Sequence, residues 1–308
     1  MRSRSTVVPL CFTLLCACGG GKIEPDSISG ISFSSFMSVL PGQTVNAIGS
    51  SQTQSITQDS TGVVTAQSVN SPDLSGANGG LTYASSSPLA LKGFQFATPR
   101  SNVSWLDGRG NQHVSCGSQS CSGSGDGANG VLLNPTGGFL GNFQFFGYWV
   151  TASGLPANLV GGISAGRSTP TSSIPISGAL LTYSGASGGI YISPAGALQE
   201  HGAALTVTFN PSGPTISFST TGTSARPWNS AGVSSPANLD INGQVAYAPG
   251  SGRFTGTVTI GSLVAPDMTG TINGAFYGPN AEEIGGTFAL TSTFGAIESM
   301  TGSFGGAR

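Results

Sequence analysis

The sequence predicts an all-β protein, a β-rich N-terminal region followed by an eight-stranded antiparallel β-barrel. Apolar residues alternate with Gly, Ser, Thr and Asn at a period of two along many short runs, the pattern of half-buried strands. Clusters of Gly, Pro and Asn separate these runs, and no amphipathic helical period of convincing length interrupts them. Charged residues make up 7% of the 308 residues and glycine contributes 49, whereas about a quarter of an ordinary soluble domain is charged. Uncharged polar residues fill the exposed positions instead, as suits an exported protein.

At the start of the chain, Arg2 and Arg4 precede an uncharged apolar run from Thr6 to Leu15, which leads into Leu15-Cys16-Ala17-Cys18 and three glycines. Residues 1–17 read as a lipoprotein signal peptide with a lipobox. The run is too short to span a bilayer, and no later segment offers about 18 uninterrupted apolar residues. The mature chain is therefore expected to be anchored rather than threaded. Ala17 supplies the small side chain, and Cys18 the thiol, that lipidation needs; a cleaved secretory signal with incidental cysteines is the alternative. Several acyl chains, at about 0.8 kcal/mol per buried CH₂, hold a protein to a membrane durably. Removing Arg2 and Arg4 with the signal leaves 8 of 10 basic residues against 12 acidic ones, a formal charge of 8 − 12 = −4. Nucleic acid is a poor partner for such a chain.

Residues 18–79 read as a tether and loosely structured lead-in, glycine-rich at Gly19–Gly21 and then rich in Ser, Gln and Thr. Gly62–Val69 is the best strand candidate among them. Short β-like runs recur from Gly80 onward, at Gly80–Ala84, Leu89–Ala97, Asn102–Leu106, Val131–Leu133 and Phe139–Thr151, and define a β-rich domain over residues 80–165. Cys116 and Cys121 are the only cysteines beyond the signal region. Two thiols without a Cys or His cluster nearby do not make a zinc site, and in an oxidising compartment a local disulfide is the better reading. So short a loop should yield less than the roughly 3 kcal/mol of a 15-residue loop. The following Ser122–Gly130 reads as a mobile surface loop.

A stretch rich in Gly, Ser, Thr and Pro from Gly154 to Ser173 marks the domain junction, and residues 166–308 carry the barrel pattern. Ser177–Tyr183, Ile190–Ser193, Leu205–Phe209, Ile216–Phe218, Leu239–Tyr247, Phe254–Ile260, Met268–Phe276 and Ile284–Leu290 supply about eight strands, enough to close a small filled barrel without a free edge. In the closing hairpin Met268, Ile272 and Phe276 share one face, as do Ile284, Phe288 and Leu290, with glycines between them. Thr271, Asn273 and Thr287 fall on the other, outer face. The turn is Gly-Pro-Asn-Ala-Glu-Glu, residues 278–283.

That hairpin also carries a family resemblance. The run NGAFYGPNAEEIGGTF, Asn273–Phe288, closely resembles the final hairpin of the barrel domain in surface lipoproteins of the transferrin-binding protein B type. The terminal GSFGGAR, Phe145–Trp149 and Ile174–Gly185 look like further landmarks of that family, so the resemblance covers roughly the C-terminal half. It implies that the N-terminal domain is a handle-like companion of the barrel. It also implies a binding protein, lipid-anchored in the outer membrane and displayed at the cell surface. Members bind transferrin, lactoferrin, haem or haemoglobin, or complement regulators. The expected function is non-catalytic capture of an iron source, a host iron-binding protein or haem, with an outer-membrane receptor and an export partner as further partners. A structural or adhesive surface lipoprotein with no iron role is the alternative.

Catalytic chemistry has no motif to stand on. The two histidines, His113 and His201, sit in neither a nucleophile pairing nor an HExxH arrangement. The adjacent Glu282 and Glu283 read as turn caps rather than a cooperating acid and base. No enzyme, metal site or resident cofactor is expected; haem could enter as a bound ligand, with His113 and His201 as candidate axial ligands. The candidate binding residues are Arg226 and Trp228, in the long connection TSARPWNSAGVSSPAN, Thr223–Asn238. Structureless connections beyond about 12–15 residues are uncommon unless functional or disordered, and Trp and Arg are enriched at binding hot spots. The competing reading has Trp228 simply packing over a barrel end.

Overall fold

The computed structural model describes residues 42–84, 91–117, 120–133, 143–151, 158–230, 234–261, 266–295 and 297–308. The signal peptide, Cys18 and the lead-in as far as residue 41 lie outside the described residues. Two antiparallel sheets make up the fold, of 10 and 9 strands.

The N-terminal sheet comprises β1 (Thr44–Gln58), β2 (Val64–Val69), β3 (Asp73–Tyr83), β4 (Leu91–Thr98), β5 (Ser101–Leu106), β6 (His113–Cys116), β7 (Ser120–Gly125), β8 (Ala128–Leu133), β9 (Gln144–Thr151) and β10 (Leu159–Gly166). Their order is β5-β4-β3-β1-β10-β9-β8-β7-β6, with β2 added to β1. The sheet curls until its edges β5 and β6 face each other, and side chains rather than a backbone ladder bridge the seam. Trp105 of β5 donates its indole N–H to the Ala128 carbonyl at 3.1 Å and packs on Phe94 and Phe96 with centroid distances of 4.8 and 5.7 Å. Gln112 accepts from Leu106 N–H and donates to Asp126, at 2.9 and 2.6 Å. The result is a nearly closed barrel.

Three sequence expectations change here. Residues 44–79, expected as loose lead-in, supply β1, β2 and most of β3, and β1 lies at the centre of the sheet. Its Ser, Gln and Thr residues looked like linker, but Ser50, Ser51, Gln52, Thr53 and Gln54 are buried; Gln54, on one face, meets Ser299 and Thr301 of the second domain, while Ser51 and Thr53 alternate onto the face shared with Val45 and Ala47. Ser122–Gly130, expected as a mobile loop, is the β7–β8 hairpin, turned by Asp126 and Gly127 with φ of 51° and 75°, the signature of a two-residue type I′ turn. Its glycines serve packing: a Cβ at Gly123 or Gly130 would sit 2.4 Å from the Trp105 ring. Finally, the expected junction at 154–173 contains β10, a strand with every residue buried.

The second sheet comprises β11 (Leu181–Ile192), β12 (Leu198–Asn210), β13 (Thr215–Pro227), the two-residue β14 (Ser235–Pro236), β15 (Ile241–Ala246), β16 (Arg253–Gly261), β17 (Pro266–Tyr277), β18 (Glu283–Ser292) and β19 (Ser299–Ala307). The ladder runs β12-β11-β19-β18-β17-β16-β15-β13, and β12 pairs with β13 to close it into eight strands. Alternate residues fill the interior, among them Tyr183, Phe209, Phe218, Phe276, Phe288 and Phe304. The expected count of eight is reached with a different membership. Ser177–Tyr183 and Ile190–Ser193 are not two strands: β11 runs unbroken through Gly185, Gly188 and Gly189. Those glycines let neighbouring backbone approach; a Cβ at Gly185 would lie 2.0 Å from the Gly305 carbonyl. The eighth member is β19, paired with both β11 and β18.

The linker crosses one mouth of this barrel. Ser168 bridges to Tyr277, Thr169 donates to the Gly278 carbonyl at 2.7 Å, and Thr171 reaches the β15–β16 turn near Gly252. Ile174 enters the barrel core at 3% exposure. Gly178 and Ser212 then exchange hydrogen bonds at 3.3 and 3.2 Å beside the β12–β13 turn.

The two domains pack face to face through β1, β9 and β10 on one side and β11, β18 and β19 on the other. This overturns the half-buried reading of the closing hairpin: Glu283 through Leu290 are buried on both faces, Thr287 completely. A third apolar cluster, including Tyr148, Val150, Val160, Ile190 and Ile192, fills the boundary. Glycines set the approach distance, since a Cβ at Gly162 would lie 2.3 Å from the Gly302 carbonyl. Polar groups are matched across it: Gln54 donates to Ser299 Oγ at 2.6 Å and accepts from Thr301 Oγ1 at 2.8 Å, and Gln144 donates to the Ile284 carbonyl at 2.8 Å.

Candidate ligand-binding surfaces

Arg226 and Trp228 do not lie in a free loop. β13 continues to Pro227, past the point where the sequence suggested an end. Gly222 has φ 66°, and the register with β12 shifts between Gly202 and Ala204. The glycine thus marks a bulge, which takes up one residue and lets pairing resume. Arg226 consequently faces Glu200 of β12, and its Nε donates to Glu200 Oε2 at 2.6 Å. The other carboxylate oxygen accepts from Tyr148 of the N-terminal domain at 2.5 Å. Burial, and then the Glu200 charge, push the Tyr148 phenol well above its ordinary range, so it stays a donor. Trp228 packs against the boundary cluster, its ring 6.2 Å from Tyr148 and its backbone N–H on the Leu198 carbonyl. These residues form an aromatic and ionic clasp between the domains, with the Arg226 side chain 41% exposed.

The histidines are not brought together. His113 is exposed at the start of β6, while His201 points into the barrel at 2% exposure. Its ring lies 5.9 Å from Phe288, opposite Gly189, where a Cβ would meet Nε2 at 2.7 Å. Neither ring nitrogen has a protein hydrogen-bond partner, and desolvation pushes the pKa down to about 3. His201 is therefore a neutral core residue, and the expectation of an axial haem ligand at this position is corrected: the barrel wall encloses it.

Cys116 and Cys121 stand directly opposite on β6 and β7 and are joined by a disulfide. Cys121 is fully buried, so the bond ties the short edge strand β6 to the core. The two adjacent glutamates cap backbone, each differently. Glu282 accepts from Asn280 N–H at 2.8 Å, while Glu283 is buried and accepts from the N–H groups of Phe143 and Gln144 at 3.1 and 3.0 Å. A cleft of about 240 Å³ opens between the domains, with Ser50 and Leu74 on one side and Ala246, Ala248, Arg253 and Phe254 on the other. That is below the roughly 300–1,000 Å³ of ordinary ligand pockets. Among the described residues, no group of three or more His, Cys, Asp or Glu side chains could hold a metal ion.

The sequence reading missed Glu200, Tyr148, Gln54 and Gln144 as contacts between the domains. A charged residue inside an alternating strand, as at Glu200, is a signal that it has a partner, but the partner is 52 positions away.

Residues 175–308 match the family model described as the C-lobe and N-lobe beta barrels of Tf-binding protein B. Among solved structures, the chain is similar to a tryptophan-to-alanine mutant of transferrin-binding protein B from Haemophilus parasuis Hp5, at 12% identity, with 87% of this chain and 77% of that one covered and a TM-score of 0.44. It is also similar to isotype 1 transferrin-binding protein B from serogroup B Neisseria meningitidis, at 11% identity, 87% and 77% coverage and a TM-score of 0.36. No curated protein is matched by sequence. The family match, together with the closed eight-stranded barrel over the same residues, carries the assignment: residues 175–308 form a barrel domain of the transferrin-binding protein B type.

Proposed function

We propose that the chain is a lipoprotein of the outer membrane, anchored through Cys18 and displayed at the cell surface, which captures an iron source by binding and not by catalysis. The observation that carries this reading is the match of residues 175–308 to the transferrin-binding family barrel. A host iron-binding protein of the transferrin class suits the chain better than haem. The barrel interior is packed with side chains, His201 is sealed within it, and the cleft between the domains is small. What remains is outer surface, which suits a macromolecular partner. An outer-membrane receptor that takes over the iron, and a partner that exports the lipoprotein, belong to the same proposal.

The test uses the full-length lipoprotein. Immobilised protein is exposed to transferrin, lactoferrin and haemoglobin in turn, and separately titrated with haemin while the Soret band is followed. Saturable binding of one host protein, without a Soret shift, is expected. Failure to bind any of these, with no haemin binding either, rejects the iron reading and leaves the adhesive alternative. Labelling with a palmitate analogue should mark the wild type and not Cys18→Ser; equal labelling rejects the anchor.

A further inference from the structure

We propose that the end of the molecule crossed by the interdomain linker rests on the lipid surface, with Ile176 and Leu180 inserted among the headgroups. The proposal rests on the anchored-lipoprotein reading above and adds an orientation to it.

The strands of the barrel and of β1, β9 and β10 run between two ends. At one lie the β12–β13, β15–β16 and β17–β18 turns, the linker and the end of β19. The start of β1 belongs to the same end, since Ile48 pairs with Gly166, the last residue of β10, and Ser168 bridges to Tyr277 at the end of β17. The chain therefore enters the fold at this end, at Gly42. Cys18 is 24 residues upstream, a length of chain that spans at most about 80–86 Å. The point from which the chain leads back toward Cys18 is therefore at this end.

Three exposed apolar side chains gather at this end, against Val63 and Phe294 at the other. Ile176 and Leu180 on the linker are 70% and 60% exposed, and Ile48 is 55% exposed. Ile174, between Pro170 and Ile176, plugs the barrel mouth, so the linker buries one apolar side chain downward and leaves two facing out. The charges agree as well. This end of the barrel, the linker and the strands packed on them carries Arg167, Arg253 and Arg308 against Glu282 and Glu283, and Glu283 is buried under backbone N–H groups. Among the described residues of the C-terminal barrel, β1 and their turns, the opposite end carries Asp59, Glu200, Asp240, Asp267 and Glu298 against Arg226. An anionic lipid surface attracts the first end and repels the second. Apolar side chains of a peripheral protein enter such a surface by roughly 5–10 Å.

The experiment reconstitutes the full-length lipoprotein in vesicles of phosphatidylcholine and phosphatidylglycerol. Single cysteines, Ile176→Cys, Leu180→Cys and Phe294→Cys, carry an environment-sensitive fluorophore, and lipid-borne nitroxides serve as quenchers. Phe294 is 78% exposed in the β18–β19 turn at the opposite end and controls for nonspecific contact. Blue-shifted emission and quenching at 176 and 180, with neither at 294, is the expected result. Flotation of the same samples reports the anchor separately. Protein that floats with vesicles but shows no quenching at 176 and 180, or equal quenching at 294, overturns the orientation and leaves the anchor standing. Protein that does not float removes the anchor and this inference with it.

Discussion

Acid should weaken this fold through one residue, His201. Its pKa is about 3 in the folded protein, against about 6.5 for an unperturbed imidazole. The folded value is the lower one, so between these values the unfolded chain binds a proton that the folded barrel refuses. Stability is then complete above pH 6.5 and is lost as pH falls toward 3, at up to about 1.4 kcal/mol per pH unit. From pH 7.5 to 5 the loss comes to about 2 kcal/mol, a large share of a typical stability of about 5–15 kcal/mol. Urea denaturation at steps from pH 7.5 to 5 should show this slope in the wild type. His201→Leu, which cannot protonate, should lose the extra 2 kcal/mol or so of acid sensitivity, while His113→Gln, changed at an exposed position, should keep the wild-type slope. Taking differences between variants cancels the carboxylates that begin to titrate near pH 5. If wild type and His201→Leu share one pH slope, the imidazole is not held neutral in the core, and the reasoning fails.

Other perturbations test packing. Gly130→Ala places a Cβ 2.4 Å from the Trp105 ring and should cost about 1–3 kcal/mol by overpacking, whereas Gly202→Ala, whose nearest neighbour would be 3.8 Å away, should be nearly neutral in the same melts. Phe288→Ala should cost about 3–5 kcal/mol. Thr287→Lys should also lower the unfolding midpoint, because Thr287 is buried against the other domain; tolerance of the lysine would restore a solvent-facing outer wall. Glu283→Ala should cost about 1–3 kcal/mol by stranding the Phe143 and Gln144 N–H groups, a loss readable by calorimetry.

The sequence made the barrel legible and the domain boundary illegible, for a physical reason. Alternation in Leu205–Phe209 or Phe254–Ile260 reports a strand with a core on one side and water on the other. That signal works when the outer face is solvated. In β1 the outer face is Ser50, Gln52 and Gln54, buried polar residues, of which Gln54 meets Ser299 and Thr301 of the other domain and Gln52 bonds to the Asn70 carbonyl of its own. A polar residue with a distant partner looks the same in sequence as one in water. Glycine was ambiguous in the same way: in Gly185–Gly189 it permits close backbone approach, and in Asp126-Gly127 it makes a turn. The Cys116–Cys121 pair could be read from the cysteine inventory alone. Arg226 and Trp228 read as residues of a long loop, and the bulge at Gly222 instead aims them at Glu200 and Tyr148.

The pairing of β19 with β11 has a consequence for how the protein is made. The first and last strands of the barrel are hydrogen-bonded neighbours, with Ser184 opposite Ala307, so the barrel cannot close before residues 299–307 have been made. Until Ser299–Ala307 emerges, β11 and β18 each lack the neighbour that covers them. Contacts this far apart in sequence form slowly, because the loop must be closed before any of them is gained. The barrel therefore stays open while residues 181–298 are made, although the N-terminal sheet, complete by Gly166, does not wait for it. The same delay leaves Phe276 and Phe288 without their packed surroundings in a product that lacks β19, and removal of Ser299–Arg308 should send the protein to aggregation rather than to a smaller stable fold.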